Sequence, residues 1–121
     1  MSMSDVERVE LVKLWREIPK CIPFGVELRY VESAGWLATP HDGRAAMWPD
    51  YLVSALARDA IVEWLHSIQC PDEHRCVSFA IEDDSDPSRK YAVEVGRANW
   101  WHGPTRLLAL IAAARAVGGK G

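Results

Sequence analysis

The segment from Leu107 to Val117 is apolar nearly all round: Leu107, Leu108, Leu110, Ile111, Val117 and five alanines, with Arg115 as its single charge. A helix without a polar face has to be buried on more than one side. Whatever this chain folds into must therefore wrap its last helix, either with its own elements or with a second subunit. Gly103-Pro104-Thr105 opens that helix, with Pro104 near its first position, and Gly118-Gly119 ends it. The alanines permit close approach of whatever packs on it.

The rest of the chain supplies elements suited to that task. Ser4-Asp5-Val6-Glu7 reads as a capping box, and the first helix runs from it to about Glu17. Leu11, Leu14, Trp15 and Ile18 form one stripe at i, i+3, i+4 and i+7. Pro19 and Pro23 stop that helix. From Gly25 to Glu32, Val26, Leu28 and Tyr30 alternate with Glu27 and Arg29, the signature of a half-buried strand. Residues 33–50 read as a long loop with a turn at Asp42-Gly43 and a short strand near Ala45 to Trp48. A second helix follows from about Tyr51 to Ile68, with Ile61, Trp64, Leu65 and Ile68 repeating the first stripe, and Cys70-Pro71 ends it. Val77, Phe79 and Ile81 alternate in one strand and Tyr91, Val93 and Val95 in another. The Asp83-to-Pro87 turn between them makes these an antiparallel hairpin.

The expected fold is thus α/β of the α+β type. It has a small antiparallel sheet of three or four strands packed with three helices, in the order αβ(β)αββα, as one globular domain over residues 1–121. The segments LVKLWREI and IVEWLHSI, each followed by a strand, echo each other. Two amphipathic helices share such a pattern by default, so the echo does not by itself make a repeat.

Composition narrows function by exclusion. The formal net charge is −3, which argues against general nucleic-acid binding, since that needs a basic patch to displace counterions. The N-terminus lacks a basic-then-apolar leader pattern, and the longest apolar run is too short to span a bilayer. Three cysteines without a secreted-type framework favour a reducing cytoplasm.

Several constellations carry candidate chemistry. The six tryptophans must be packed or used. Trp36, Trp48, Trp100 and Trp101 are candidates for a protein interface. Arg97, Asn99, Trp100, Trp101, His102, Thr105 and Arg106 gather at the start of the last helix. Helix N-termini attract anions, guanidinium groups add charge, and indoles can stack on a base, so a phosphate or small nucleotide could sit there. The alternative is a plain helix cap at Thr105 with the tryptophans packed under the sheet.

His66, Cys70, His74 and Cys76 offer four soft ligands that could close a tetrahedral zinc site, although their spacing matches no common zinc-finger pattern. The alternative is a helix end without metal, and no other cofactor is implied. The acidic turn Glu82 to Asp86 reads as a solvated hairpin tip. His41, Asp42 and Arg44 read as a turn, since no nucleophile or third partner stands near them in sequence. No nucleophile elbow, HExxH or catalytic Cys/His signature appears, so the residues favour a binding protein over an enzyme.

The later two-thirds of the chain resembles the small bacteriophage proteins of the phage ABA-sandwich type. The resemblance is carried by Gly35-Trp36 after a strand and by Trp48-Pro49-Asp50-Tyr51 leading into a helix with Ala55, Ala57 and Ala60. It continues in the strands CVSFAIE and KYAVEV and in Gly103-Pro104-Thr105-Arg106 before LLALIAAARAV. Members often carry Tyr-Ser at the second helix start, whereas here Tyr51 is followed by Leu52 and Val53, with Ser54 later. The resemblance implies helices packed on a sheet and a phage or prophage origin, and it implies no reaction.

On these grounds the expected function is a non-catalytic phage-type binding protein in the host cytoplasm, acting on a host protein such as a defence component. One alternative is a small-ligand or signalling-nucleotide binder using the start of the last helix. A second is a zinc-supported module. A homodimer through the last helix is one way to cover its second side.

Overall fold

In the computed structural model, the described residues are 3–69, 77–81, 89–95 and 100–118. Helix α1 covers Asp5–Glu17, and a short 3-10 turn covers Pro19–Cys21. Strands β1 (Val26–Val31), β2 (Gly35–Pro40) and β3 (Ala46–Trp48) then form an antiparallel sheet in sequence order. Helix α2 covers Asp50–Gln69. Strands β4 (Val77–Ile81), β5 (Tyr91–Val95) and β6 (Trp100–Gly103) form a second such sheet, and helix α3 (Arg106–Gly118) follows.

The α+β class, the three helices and the antiparallel pairing stand as expected. The strands are more numerous: six in two three-stranded sheets, where three or four in one sheet were expected, so that the order is αβββαβββα. Strand β2 escaped notice because its inward residues are Trp36, Ala38 and Pro40, and alanine and proline give little period-two signal. Its turn is marked by Gly35, whose φ of +104° is a backbone conformation that glycine adopts without strain. Strand β6 was hidden because Trp100-Trp101 shows no alternation of polarity. The register nonetheless separates them, pairing Trp101 with Val93 and Trp100 with Glu94.

The local signals act as their chemistry requires. Ser4 Oγ accepts from the Glu7 N–H and Glu7 Oε1 accepts from the Ser4 N–H, which completes the capping box. Strand β1 turns Val26, Leu28 and Tyr30 to the core side of β2, against Pro40, Ala38 and Trp36. The second hairpin pairs Val77 with Val95, Phe79 with Val93 and Ile81 with Tyr91, as alternation predicts. In α2 the buried stripe is Val53, Ala57, Ile61 and Leu65, while Ile68 is exposed. Ile61 and Leu65 of the expected stripe are thus buried, and Trp64 packs half-buried against the core.

One apolar cluster joins all three helices and both sheets. Helix α3 lies at its centre, against α1, α2, β5 and β6, with Leu107, Ala109, Leu110, Ile111, Ala113 and Ala114 buried. Leu108, Ala112, Ala116 and Val117 are half-buried. Alanine and glycine make the fit: a Cβ on Gly103 would come within 2.7 Å of the Ala109 backbone nitrogen.

Three strands between successive helices is an odd number, so each helix restarts at the end where the last one began. The contacts agree. The Met3 N–H donates to Asp50 Oδ2 at 3.0 Å, and Thr105 Oγ1 donates to Glu7 Oε2 at 3.1 Å, so all three N-termini adjoin. At the other end, Gly118 of α3 lies against Ile18 and Trp64. The echo between LVKLWREI and IVEWLHSI falls on α1 and α2, each of which precedes a three-stranded meander. The echo thereby gains a topological counterpart.

Gly103→Ala is expected to destabilise the fold by about 1–3 kcal/mol, because the new methyl meets backbone that cannot rotate away. Trp36→Ala is expected to cost about 3–5 kcal/mol, and Trp100→Ala within about 0.5 kcal/mol. Urea unfolding midpoints check all three.

Candidate functional site

The junction of the three helix N-termini opens into a cleft of about 620 Å³ lined by Met3, Glu7, Tyr51, Ser54, Arg58, Lys90, Tyr91 and residues 104–107. That volume lies within the range of about 300–1,000 Å³ usual for small-molecule sites. Each wall has a local cause. Met3 precedes and Glu7 belongs to the capping box of α1, and Tyr51, Ser54 and Arg58 lie along the first three turns of α2, which follows Pro49. Lys90 and Tyr91 begin β5, and Thr105, Arg106 and Leu107 begin α3.

Three parallel helices gather three positive dipole ends at this place. Asp5 and Glu7 offset the end of α1, and Asp50 offsets that of α2, whereas α3 has no acidic residue in its first turn. Thr105 caps α3: its Oγ1 accepts from the Leu108 N–H at 3.2 Å, and its carbonyl accepts from the Ala109 N–H at 3.0 Å. Among the described residues no backbone acceptor takes the Arg106 or Leu107 N–H, and both residues line the cleft.

The charge balance of the cleft opposes that of the chain. Three cations, Arg58, Lys90 and Arg106, face one carboxylate, Glu7, in a protein of net charge −3. Glu7 is already engaged, with one oxygen on the Ser4 N–H and the other on Thr105. Among the described residues no carboxylate pairs with any of the three cations; Arg58 Nε makes only a 3.4 Å contact with the Ser54 carbonyl. The Arg106 guanidinium and the Lys90 ammonium stand 5.8 and 5.6 Å from the centre of the Tyr91 ring, close enough for the ring face to hold both.

The residues singled out from sequence divide accordingly. Thr105 and Arg106 line the cleft, and Thr105 is at the same time the helix cap. Trp100 and His102 sit on the face of β6 turned from α3, beside the cleft and not in its wall. Arg97 and Asn99 lie outside the described residues. Sequence alone gives Arg58, Tyr51 and the pair Lys90-Tyr91 no site role, because they lie far apart along the chain and only the tertiary fold brings them to one cleft.

Trp36 is a core residue, 1% exposed, in edge-on contact with Trp15 and Tyr30. It therefore offers no surface to a partner. Trp48 and Trp101 are half-buried against the core, and of the four indoles named as interface candidates Trp100 is the exposed one, at 44%. His66 lies near the end of α2, while Cys70, His74 and Cys76 of the candidate zinc set lie outside the described residues. The acidic turn 82–86 lies outside them too. His41, Asp42 and Arg44 are exposed in the turn between β2 and β3, where the Gly43 N–H donates to the Pro40 carbonyl. Among the described residues no group of three or more His, Cys, Asp or Glu could hold a metal ion, and no helix is long and apolar enough to cross a membrane.

Cys21 is fully buried, and burial pushes its thiol up to about 12. It is a core side chain held neutral. No protein-family model, curated protein or solved structure matches the chain.

In a Cys70→Ser/Cys76→Ser background, Cys21 is expected to resist iodoacetamide at pH 8 and to react promptly in denaturing urea; mass spectrometry reads both. The raised thiol also has a sign for stability. Its contribution is complete below the ordinary thiol range and is lost as pH rises towards 12. Urea midpoints are therefore expected to fall between pH 8 and 10.5 more steeply for the wild type than for Cys21→Ala.

Proposed function

We propose that the protein binds a small phosphorylated anion of nucleotide size in the cleft between the three helix N-termini. The observation that supports this most is the gathering of Arg58, Lys90 and Arg106, unpaired by any carboxylate of the described residues, around the unengaged N–H groups that open α3. Unpaired cations on a shared wall repel one another, and a bound dianion would remove that cost. Backbone N–H groups at a helix start and guanidinium forks both match phosphate oxygens. Thr105 Oγ1, which donates to Glu7 Oε2 in this cleft, is held as the cap of α3, so we read the chemistry of the cleft as binding. This favours a ligand-sequestering protein, the alternative drawn from the start of the last helix.

A second reading is a protein that occludes a host partner, as a phage origin implies. It is supported by the fully exposed Phe24, at the turn before β1, and by the exposed Trp100. Large aromatic side chains left in water are favoured anchors at interfaces.

Isothermal titration with a panel of mononucleotides, cyclic nucleotides and ADP-ribose tests the first reading. Binding is expected to weaken as salt rises and to drop by roughly 10- to 150-fold on Arg58→Ala or Arg106→Ala, as loss of a hydrogen bond to a charged group requires. Lys13→Ala, on the exposed face of α1, is expected to leave affinity unchanged. For the second reading, a host protein retained from lysate by the wild type is expected to be lost with Phe24→Ala/Trp100→Ala and kept with Arg58→Ala.

A further inference from the structure

We infer that Tyr51 is a stacking platform, so that the cleft selects a phosphate ligand carrying a nucleobase over a bare sugar phosphate. The inference rests on the anion-binding reading of the cleft and assigns the part of the ligand that the cations do not address. An exposed tyrosine is by itself ordinary. Tyr51 differs in its surroundings. It is 66% exposed in the first turn of α2, on the wall of a basic cleft. Among the described residues no aromatic ring or cation lies against it, whereas the Tyr91 ring is taken up by Lys90 and Arg106.

The cleft thus separates two kinds of surface. Arg58, Lys90, Arg106 and the opening N–H groups of α3 suit charge. The free ring of Tyr51, with Met3 beside α1, suits a flat apolar body. An anion lacking such a body would leave Tyr51 wet and unused. A nucleobase fits because every base presents a π-face, and aromatic stacking discriminates weakly among bases. The resulting selectivity is for the presence of a ring more than for its identity. The arrangement also leaves Trp100 out of base recognition, since it lies on the far face of β6.

The test is calorimetric titration of the full chain with AMP, GMP, UMP and ADP-ribose, each set against ribose 5-phosphate. Wild type, Tyr51→Ala, Tyr51→Phe and Arg58→Ala are compared, with urea midpoints confirming that each substitution leaves the fold intact. The best base-bearing ligand is expected to bind roughly 5- to 150-fold more tightly than ribose 5-phosphate, which is the scale of one stacked base. Tyr51→Ala is expected to abolish that ratio and leave ribose 5-phosphate affinity unchanged. Tyr51→Phe is expected to preserve it, which separates stacking from a hydrogen bond to the phenol. If ribose 5-phosphate binds as tightly as every nucleotide, and Arg58→Ala weakens all of them, the platform is overturned while the anion site stands. If no phosphate compound binds at millimolar concentration, the anion site is overturned and the platform with it.

Discussion

The packing of α3 inside its own chain is the constraint on which the rest of the structure depends. A helix apolar on every side is insoluble alone, and here α1, α2, β5 and β6 share its surface. Its small residues set the distances: backbone comes close at Ala109 through Gly103, and the ends of α1 and α2 meet Gly118. Around this axis the apolar surfaces of both sheets join one cluster. Arg115, the one charge within the apolar segment, is drawn to the carboxylates of Glu10 and Glu17 on α1. These ion pairs tie the apolar stretch of α3 to α1.

Odd-numbered meanders around a central helix have an electrostatic consequence. Three helices running one way place like dipole ends together, which is unfavourable unless charge is arranged to oppose it. At the start of α1 and α2 acidic residues do this, and the carboxylate of Glu7 reaches across to Thr105. The start of α3 keeps its positive end, and Arg58, Lys90 and Arg106 add to it. Glu7 is the one carboxylate among the lining residues, and both its oxygens are already engaged, so the cleft keeps an excess of positive charge suited to an anion.

The sequence was legible wherever a residue's role was set by near neighbours. The Ser4–Glu7 capping box, the ends of α1 and α2, the β4–β5 hairpin and the cap at Thr105 all follow from contacts within a few positions. Strands β2 and β6 were less visible because alanine, proline and adjacent tryptophans carry no alternating signal. The tryptophans misled for a related reason. An indole has the same identity in a core and on a surface, and only the register, with Trp36 beside Tyr30 and Trp100 beside Glu94, tells them apart.

The candidate site divides along the same line. Thr105 and Arg106 could be found from sequence because a helix start announces itself. Arg58, Lys90, Tyr51 and Tyr91 could not, since they come from α2 and β5 and meet only because three helices begin at one end. By itself the sequence determined three helices, one of them fully apolar, the antiparallel pairing and the caps, all through local periodicity and hydrogen bonding. The tertiary structure alone decided that those helices run parallel and that their N-termini share a basic cleft. Direction and convergence depend on how many strands lie between helices and on what packs against α3, and neither is written in any short window of residues.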